Sequence, residues 1–336
     1  MISVICPIYN EEKYIDKCIG SIMEQDYPKD DMEVLFVDGM STDGTRGIIA
    51  GYAKTVPYIR LIDNPRKTVP FAMNAGIDAA GGDIIIRLDA HAEYGHDYFS
   101  MMVKYLDELP NAENVGGVCV TLPCNGTDTA AAIAVALSHP FGMGNSYFRT
   151  GTDSIREVDT VPFGCFRKEM FEKTGLYDTE LTRNQDDELN GRIIKNGGKI
   201  YLIPSVRIKY FARDKIGKVR RMFWQYGVFK PLVNKKLGAP ATLRQFVPPL
   251  FAIFAACGVI AWLYTPATIV WSAVMLLYAA TAIYIGIKEA VRQRRKALAW
   301  LLPYVFANIH LAYGAGYIAG IYKVIFKKSF NVKSNR

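Results

Sequence analysis

At 336 residues the chain has room for one large domain with an appendage, or for two medium domains. Half of its residues are hydrophobic and its mean hydropathy is +0.08, which argues against a wholly soluble protein. The 40 Lys and Arg against 32 Asp and Glu leave +8, which suits nucleic acid, an anionic membrane or a phosphorylated substrate alike, so the placement of the surplus matters more than its size.

Up to about residue 213, strand-like and helix-like segments alternate. Residues 2–6 (ISVIC) read as a strand, and Met1 leads into them without a basic segment or a long apolar stretch. No signal peptide is therefore expected, and this part should stay in the cytosol, where nucleotide sugars are found. Asn10 is placed to cap a helix with Ile15, Cys18, Ile19 and Ile22 at helical spacing. Strands follow at 33–37, 59–62 and 83–88, with helices at 42–54 and 71–80 between them. This βαβα order predicts an α/β fold with a parallel, doubly wound sheet, whose ligands sit beyond the carboxyl ends of the strands.

Beyond residue 207 the character changes. Residues 207–244 carry eleven Lys and Arg and one acid, Asp214, whereas 245–287 has no charged residue. That run is long enough for two bilayer crossings of ~20 residues each, with a turn at Tyr264 and Pro266. A basic cluster at 288–296 precedes a second uncharged run, 297–322, and a basic tail, 323–336. Basic flanks beside a charge-free hairpin place both flanks on the cytosolic side. The second run is short for two spans, and Pro303, Asn308, His310 and glycines 314, 316 and 320 suit a re-entrant or interfacial element. The basic surplus thus clusters beside apolar runs, which favours a membrane partner over nucleic acid. The six cysteines show no C-x-x-C and no Cys/His metal spacing, and read as buried free thiols.

The strand ends carry the chemistry. PIYNEE closes the first strand, Asp38 the second within VDGMSTDGT, and Asp89-Ala90-His91 the fourth. Acidic and amide groups on one sheet edge build a pocket able to bind a nucleobase or ribose and to hold a divalent cation. Asp43 taken alone reads equally well as a helix cap.

The ordered set PIYNEE, VDGMSTDGT, NAGIDAAGGDIIIRLDAH, VPFGCFRKEMFEKTGLYD and RNQDDELNGRI resembles the family 2 glycosyltransferases of GT-A fold, in particular the bacterial exopolysaccharide glucosyltransferases of succinoglycan assembly. The resemblance is good over about the first 215 residues and looser beyond them. It implies a GT-A catalytic domain (Rossmann-like, mostly parallel sheet) at 1–236 and a membrane-attachment region of transmembrane or interfacial helices at 237–336, with apolar runs at about 245–287 and 297–322. By the same resemblance Pro7, Tyr9, Asn10 and Glu11 line the nucleotide pocket, Asp38 meets the base, and Lys67, Asn74 and Gly76 approach the donor diphosphate and base. Asp89 and His91 occupy the D-x-D position for ribose and metal. His91 replaces the second aspartate, and imidazole suits Mn²⁺ better than Mg²⁺. Phe163, Gly164 and Cys165 correspond to the loop flooring the donor-sugar and acceptor site.

The family places its base before a helix ending x-x-L-x-x-R. Leu189 and Arg192 fit this frame and align Asp186 with the base, with Asp187 the alternative one residue on and Glu188 beside it. A carboxylate is needed there because the acceptor hydroxyl must lose its proton while attacking the anomeric carbon, and a single displacement inverts that centre. The implied activity is transfer of a sugar, with glucose the leading expectation, from a UDP-sugar donor to a polyprenyl-diphosphate-linked saccharide in exopolysaccharide synthesis. A divalent cation (Mn²⁺ or Mg²⁺) is the implied cofactor, polysaccharide-assembly proteins are candidate partners, and the inner membrane is the implied site, with the catalytic domain facing the cytosol. A polyprenyl-phosphate sugar transferase and a non-catalytic membrane scaffold are the alternatives. The segment RRMFWQYG (220–227) lies where processive relatives carry Q-x-x-R-W, but its order and spacing differ, so processivity is not implied. Its arginines and aromatics suit a membrane surface or an acceptor diphosphate.

Overall fold

The computed structural model describes residues 1–240 and 242–330. The strands are β1 Ile2–Ile8, β2 Met32–Asp38, β3 Ile59–Asp63, β4 Ile84–Arg87, β5 Ala92–Tyr94, β6 Ala112–Pro123, β7 Arg156–Glu157, β8 Cys165–Arg167 and β9 Lys199–Ala212. The helices are α1 Ile15–Met23, α2 Thr45–Ala53, α3 Val69–Ala79, α4 Tyr98–Glu108, α5 Asp128–Ser138, α6 Pro140–Met143, α7 Tyr147–Thr150, α8 Lys168–Thr174, α9 Gln185–Lys195, α10 Ile216–Leu237, α11 Val247–Ala256, α12 Gly258–Ala261, α13 Thr265–Arg292 and α14 Leu298–Ile325.

The chain forms two compact units that are not contiguous in sequence. One comprises Met1–Val120 and Gly151–Tyr210; the other comprises Thr121–Thr150 and the described residues from Phe211 on. The division expected at 236 falls inside α10, and the three helices α5 to α7 belong with the C-terminal helices.

The first unit is built on one sheet in the order β3-β2-β1-β4-β8-β6-β9-β5, with β7 paired to β9. Strands β3, β2, β1 and β4 are mutually parallel, which is the nucleus the βαβα pattern predicts. Strand β8 then runs antiparallel to both β4 and β6, and β5 and β7 antiparallel to β9. All of β1 is buried, as expected of a central strand covered on both faces. Its register sets Ile8 opposite Asp38, and Asp38 opposite Asp63, so three strands end at one level. Ile15, Cys18, Ile19 and Ile22 are the buried face of α1, as their spacing predicts. Asn10 does not cap this helix. Helix α1 begins five residues later, without a side-chain cap, and Asn10 adopts φ 55° and turns its amide to the neighbouring loop.

In the second unit α10 lies along α14, and α13 and α5 pack on α14 around an apolar core that includes Ile133, Leu137, Phe223, Leu302 and Phe306. The two crossings expected within 245–287 are not both present. Helix α11 has 10 residues, about 15 Å against a hydrocarbon layer of about 30 Å, and breaks at Cys257 before the short α12. Helix α13 has 28 residues, with a mean hydropathy of 1.8 over an apolar stretch of 18, and is long and apolar enough to cross a membrane. So is α14, with 28 residues and a mean hydropathy of 1.2 over such a stretch, which runs as one continuous helix. Its glycines serve close helix contact. A Cβ on Gly316 would collide with the Trp224 carbonyl of α10, and one on Gly314 with the Pro248 carbonyl of α11. The part of the basic tail beyond 330 lies outside the described residues.

Four cysteines are buried and free as expected (Cys6, Cys18, Cys119, Cys165), whereas Cys124 and Cys257 are free but exposed, because they sit at the end of β6 and in the break after α11.

Candidate active site

The carboxyl ends of β1 and β2 are tied into one rim. Pro7 is buried in β1, opposite Val37. Tyr9 packs against Gly39, whose added Cβ would lie 3.3 Å from the Tyr9 ring. The Asn10 backbone N–H donates to Ser41 Oγ (2.8 Å), and its side-chain oxygen accepts from the Thr42 N–H (2.8 Å). The Glu11 N–H donates to Thr45 Oγ1 (2.8 Å). Asp43 accepts from Thr45 N and Oγ1 at 3.1 and 2.6 Å, which closes the turn leading into α2, whose N-cap is Gly44 with no side-chain cap. Asp38 is fully buried and accepts from Ser41 N (3.0 Å), Ser41 Oγ (2.5 Å) and Arg46 Nη1 (2.5 Å), and Arg46 also reaches Asp63 (2.8 Å). Asp38 therefore shapes the loop and aims Arg46 along the rim.

Strand β4 delivers the centre of the site. Its sequence IIIR is apolar until Arg87, which opens the Asp89 motif. The buried Tyr94 hydroxyl accepts from the Asp89 N–H (2.7 Å) and donates to the Asp89 carbonyl (3.2 Å), fixing the backbone there. The His91 ring lies between two carboxylates, with Nδ1 2.9 Å from Glu11 Oε2 and Nε2 3.1 Å from Asp89 Oδ1. The two motifs are 80 residues apart in sequence and meet through this imidazole.

These donors suit a divalent cation in kind: two carboxylates and an imidazole, the last favouring Mn²⁺ over Mg²⁺. Among the described residues no three such side chains form a ready metal cage. Cations that serve phosphates need only one or two carboxylates, since substrate oxygens and water complete the shell. Asp89, with His91, fits that demand.

The candidate base sits in the first turn of α9, where the helix dipole favours carboxylates. Three acids occupy that turn, and the structure separates them. Glu188 is 3% exposed and forms a two-pronged pair with Arg192 (2.7 and 2.9 Å), whose guanidinium also caps the Gly175 and Leu176 carbonyls. This pair holds α9 to the end of α8. Asp186 and Asp187 are half-buried. Asp186 pairs with Arg87 of β4, and its side chain is 28% exposed against 8% for Arg87. Burial pushes the Asp186 carboxyl above the usual carboxylate range. Arg87 opposes that push, and the nearby Asp187 and Asp89 add to it. Burial disfavours the Arg87 charge, yet Asp186, with Tyr177 and Asp89, holds the guanidinium above its usual range.

Arg87 also organises the 163–165 loop. Its N–H donates to the Gly164 carbonyl (2.9 Å), and its guanidinium lies 5.9 Å from the centre of the Phe163 ring. Phe163 adopts φ 51°, and its carbonyl accepts from the buried Tyr98 hydroxyl (3.0 Å). Gly164 is required sterically, because a Cβ there would run into the Asn114 amide. Asn114 donates to Asn190 of α9 (2.7 Å), which donates to Thr160 (2.8 Å), a buried polar chain that anchors the base-bearing helix. Cys165 is wholly buried within the sheet and burial pushes its thiol up, so it supports the loop from below rather than lining it.

Of the three residues expected near the donor diphosphate and base, two also hold the fold together. The Asn74 amide pairs both ways with the Tyr177 backbone (2.9 Å each), pinning the segment after α8 to α3. Gly76 lets α3 approach the sheet, since a Cβ there would lie 2.5 Å from the Ile5 side chain. Lys67 is exposed, with φ 61°, in the loop before α3. Sequence reasoning passed over Arg87, Tyr94 and the Asn114–Asn190 pair. Only Arg87 carried a signal, as the one charged residue of an otherwise apolar strand.

The family model described as Glycosyl transferase family 2 matches residues 3–175. The succinoglycan biosynthesis protein ExoA of Rhizobium meliloti is 30% identical over 94% of this chain and 93% of its own length. A Methanococcus voltae dolichyl N-acetyl-alpha-D-glucosaminyl phosphate 3-beta-D-2,3-diacetamido-2,3-dideoxy-beta-D-glucuronosyltransferase is 32% identical over 70% of this chain and 74% of that protein. Among solved structures, the mannosyltransferase PcManGT from Pyrobaculum calidifontis, in complex with GDP-Man and Mn²⁺, aligns with a TM-score of 0.60, 22% identity and coverage of 97% and 87%. S. aureus TarS residues 1–349 with UDP-GlcNAc align at 0.54, with 17% identity and coverage of 97% and 92%. At these identities the structural likeness bears on the fold, which is GT-A.

Proposed function

The chain belongs to glycosyltransferase family 2, and we propose that it transfers a sugar from a UDP-sugar, with inversion, to a hydroxyl of a polyprenyl-diphosphate-linked saccharide during cell-surface polysaccharide synthesis. The observation that carries this reading is the junction at β4. Asp89 and His91 reach the nucleotide rim through Glu11, while Arg87, two residues earlier, holds Asp186 at the start of α9. One strand end thus joins a donor-binding group to a base.

In the reaction the acceptor hydroxyl approaches the anomeric carbon from the face opposite the diphosphate. Asp186 takes the hydroxyl proton as the new C–O bond forms and the bond to the nucleoside diphosphate breaks. Burial favours proton uptake by this carboxyl, and the single contact from Arg87 Nη1 fixes its direction. The rim of Tyr9, Asn10, Glu11 and Asp38, stiffened by its loop-to-loop hydrogen bonds, holds the nucleoside. A divalent cation held by Asp89 and His91 would offset the diphosphate charge. Glucose is the first donor to test, and the lipid-linked acceptor is supported by the name of the Methanococcus voltae relative, a transferase acting on a dolichyl-phosphate sugar.

Helix α13 supports attachment to the membrane. Leu276 and Leu277 are each 69% exposed on a helix whose apolar stretch is mostly uncovered by the rest of the chain, an apolar surface that calls for lipid. The basic stretch 207–244, which leads out of the catalytic unit, favours a cytosolic catalytic unit at the inner membrane.

The test is UDP release and sugar transfer by the full chain in detergent, with Mn²⁺ or Mg²⁺ and UDP-glucose, beside Asp186→Asn, Asp187→Asn and Asp89→Ala. Metal-dependent turnover is expected, falling by at least about 10²-fold in Asp186→Asn and Asp89→Ala. A larger loss in Asp187→Asn would move the base one residue on. Full activity in all three variants would overturn the catalytic reading.

A further inference from the structure

The second unit contains a cavity of about 950 Å³ between the first turns of α10 and the middle of α14. One wall is cationic, with Arg213, Lys215, Lys218, Arg220 and Arg221 all lining it. Among the described residues no Asp or Glu lines the cavity. The adjacent Asp214 is engaged by Lys218 (3.0 Å), whose hydrogen bond holds the carboxyl below its usual range. Lys215, Arg220 and Arg221 are exposed, with no ion pair among the described residues.

This is an unfavourable arrangement in the isolated chain. Positive side chains belong at a helix C-terminus, yet four of these cluster from the N-cap of α10 to its sixth residue, where they add to the positive end of the dipole. Charge gathered against local preference marks a place where an external group supplies the balance. The required group is an anion of more than one charge, because several cations converge on a single cavity.

The opposite wall is largely apolar. It is formed by Tyr304, Ala307, Asn308, Leu311 and Ala312 of α14, one of the two helices able to cross a membrane, and Trp224 of α10 also lines the cavity. Tyr304, Leu311 and Trp224 are 54%, 41% and 40% exposed, apolar and aromatic area left open beside the cations. A ligand matching both walls has a phosphate head and a hydrocarbon tail. A phosphodiester lipid brings one negative charge, whereas a terminal phosphate brings about 1.5 to 2, and a diphosphate more.

We propose that this cavity binds the terminal phosphate or diphosphate of an isoprenoid lipid, with the cations of α10 on the head and the Tyr304–Leu311 side of α14 along the chain. The assignment rests on the lipid-linked acceptor proposed above and gives that acceptor a binding site on this chain.

The experiment measures binding of a short isoprenyl diphosphate to the full chain in detergent, beside inorganic pyrophosphate and vesicles containing phosphatidylglycerol. The variants are Arg220→Gln/Arg221→Gln and, as a charge-keeping control, Arg220→Lys/Arg221→Lys. UDP-sugar hydrolysis, which needs no lipid, is followed in parallel. The wild type should bind the isoprenyl diphosphate in preference to both comparison ligands. The glutamine variant should bind at least about tenfold more weakly with hydrolysis unchanged, and the lysine variant should retain most binding. Equal binding by wild type and the glutamine variant would overturn the site. Equal affinity for pyrophosphate would overturn the role of the α14 wall, and a preference for phosphatidylglycerol would overturn the isoprenoid assignment. Loss of UDP-sugar hydrolysis in the wild type, with isoprenyl binding intact, would count against the donor reading alone.

Discussion

Replacing Arg87 by methionine removes the positive half of the Arg87–Asp186 pair while keeping much of its bulk. Breaking a buried pair strands a charge and costs roughly 3–5 kcal/mol. The Asp186 side chain is 28% exposed, so water recovers part of its solvation and the lower end, about 3 kcal/mol, applies. For a unit of this size that corresponds to a fall in Tm of roughly 6–12 °C. The assay is thermal unfolding of the detergent-purified chain as a cycle of wild type, Arg87→Met, Asp186→Asn and the double variant. The second substitution removes the stranded carboxylate, so the double variant should recover about 0.5–3 kcal/mol relative to additivity.

The pH dependence has a definite sign. Asp186 has a raised carboxyl pKa in the fold, so the folded chain holds its proton more tightly than the unfolded chain does. That contribution to stability is complete at acid pH and is lost as pH rises from the unfolded value through the folded one. In catalysis the base must be ionised, so the acid limb of kcat/KM should lie above the ordinary carboxylate range. Removing Arg87 takes away the main opposing charge and should move that limb to higher pH. An unchanged Tm in Arg87→Met, strictly additive effects in the cycle, or an unmoved acid limb would each refute the reasoning.

Two further outcomes follow from the packing. Gly164→Ala should destabilise by roughly 1–3 kcal/mol and lower kcat, since its methyl displaces Asn114 from the chain that anchors α9; thermal melts read with kcat test this, and a neutral variant would count against it. Gly316→Val should destabilise the helical unit by a similar roughly 1–3 kcal/mol by forcing α10 from α14, whereas Gly217→Ala, where a Cβ meets open space, should not; equal melting of the two would contradict the close helix contact.

The sequence by itself determined what is local along the chain. The buried face of α1 repeats at helical spacing, the parallel strands are short apolar runs, and the charge-free segments announce lipid-compatible helices, because each signal lies within one continuous stretch of sequence. The acids at strand ends were legible for the same reason. The tertiary structure alone decided what each polar group touches. Arg87 and Asp186 are 99 residues apart, His91 and Glu11 80, and Asn114 and Asn190 76. No periodicity encodes such pairings; they exist because parallel strands deliver distant segments to one edge, where buried polar atoms must find partners. The same holds for α11, whose apolar composition matched a crossing but whose break after ten residues made it too short. It holds also for the glycines of α14, read in the sequence as suiting a re-entrant or interfacial element, which the packed unit uses to bring three helices into contact.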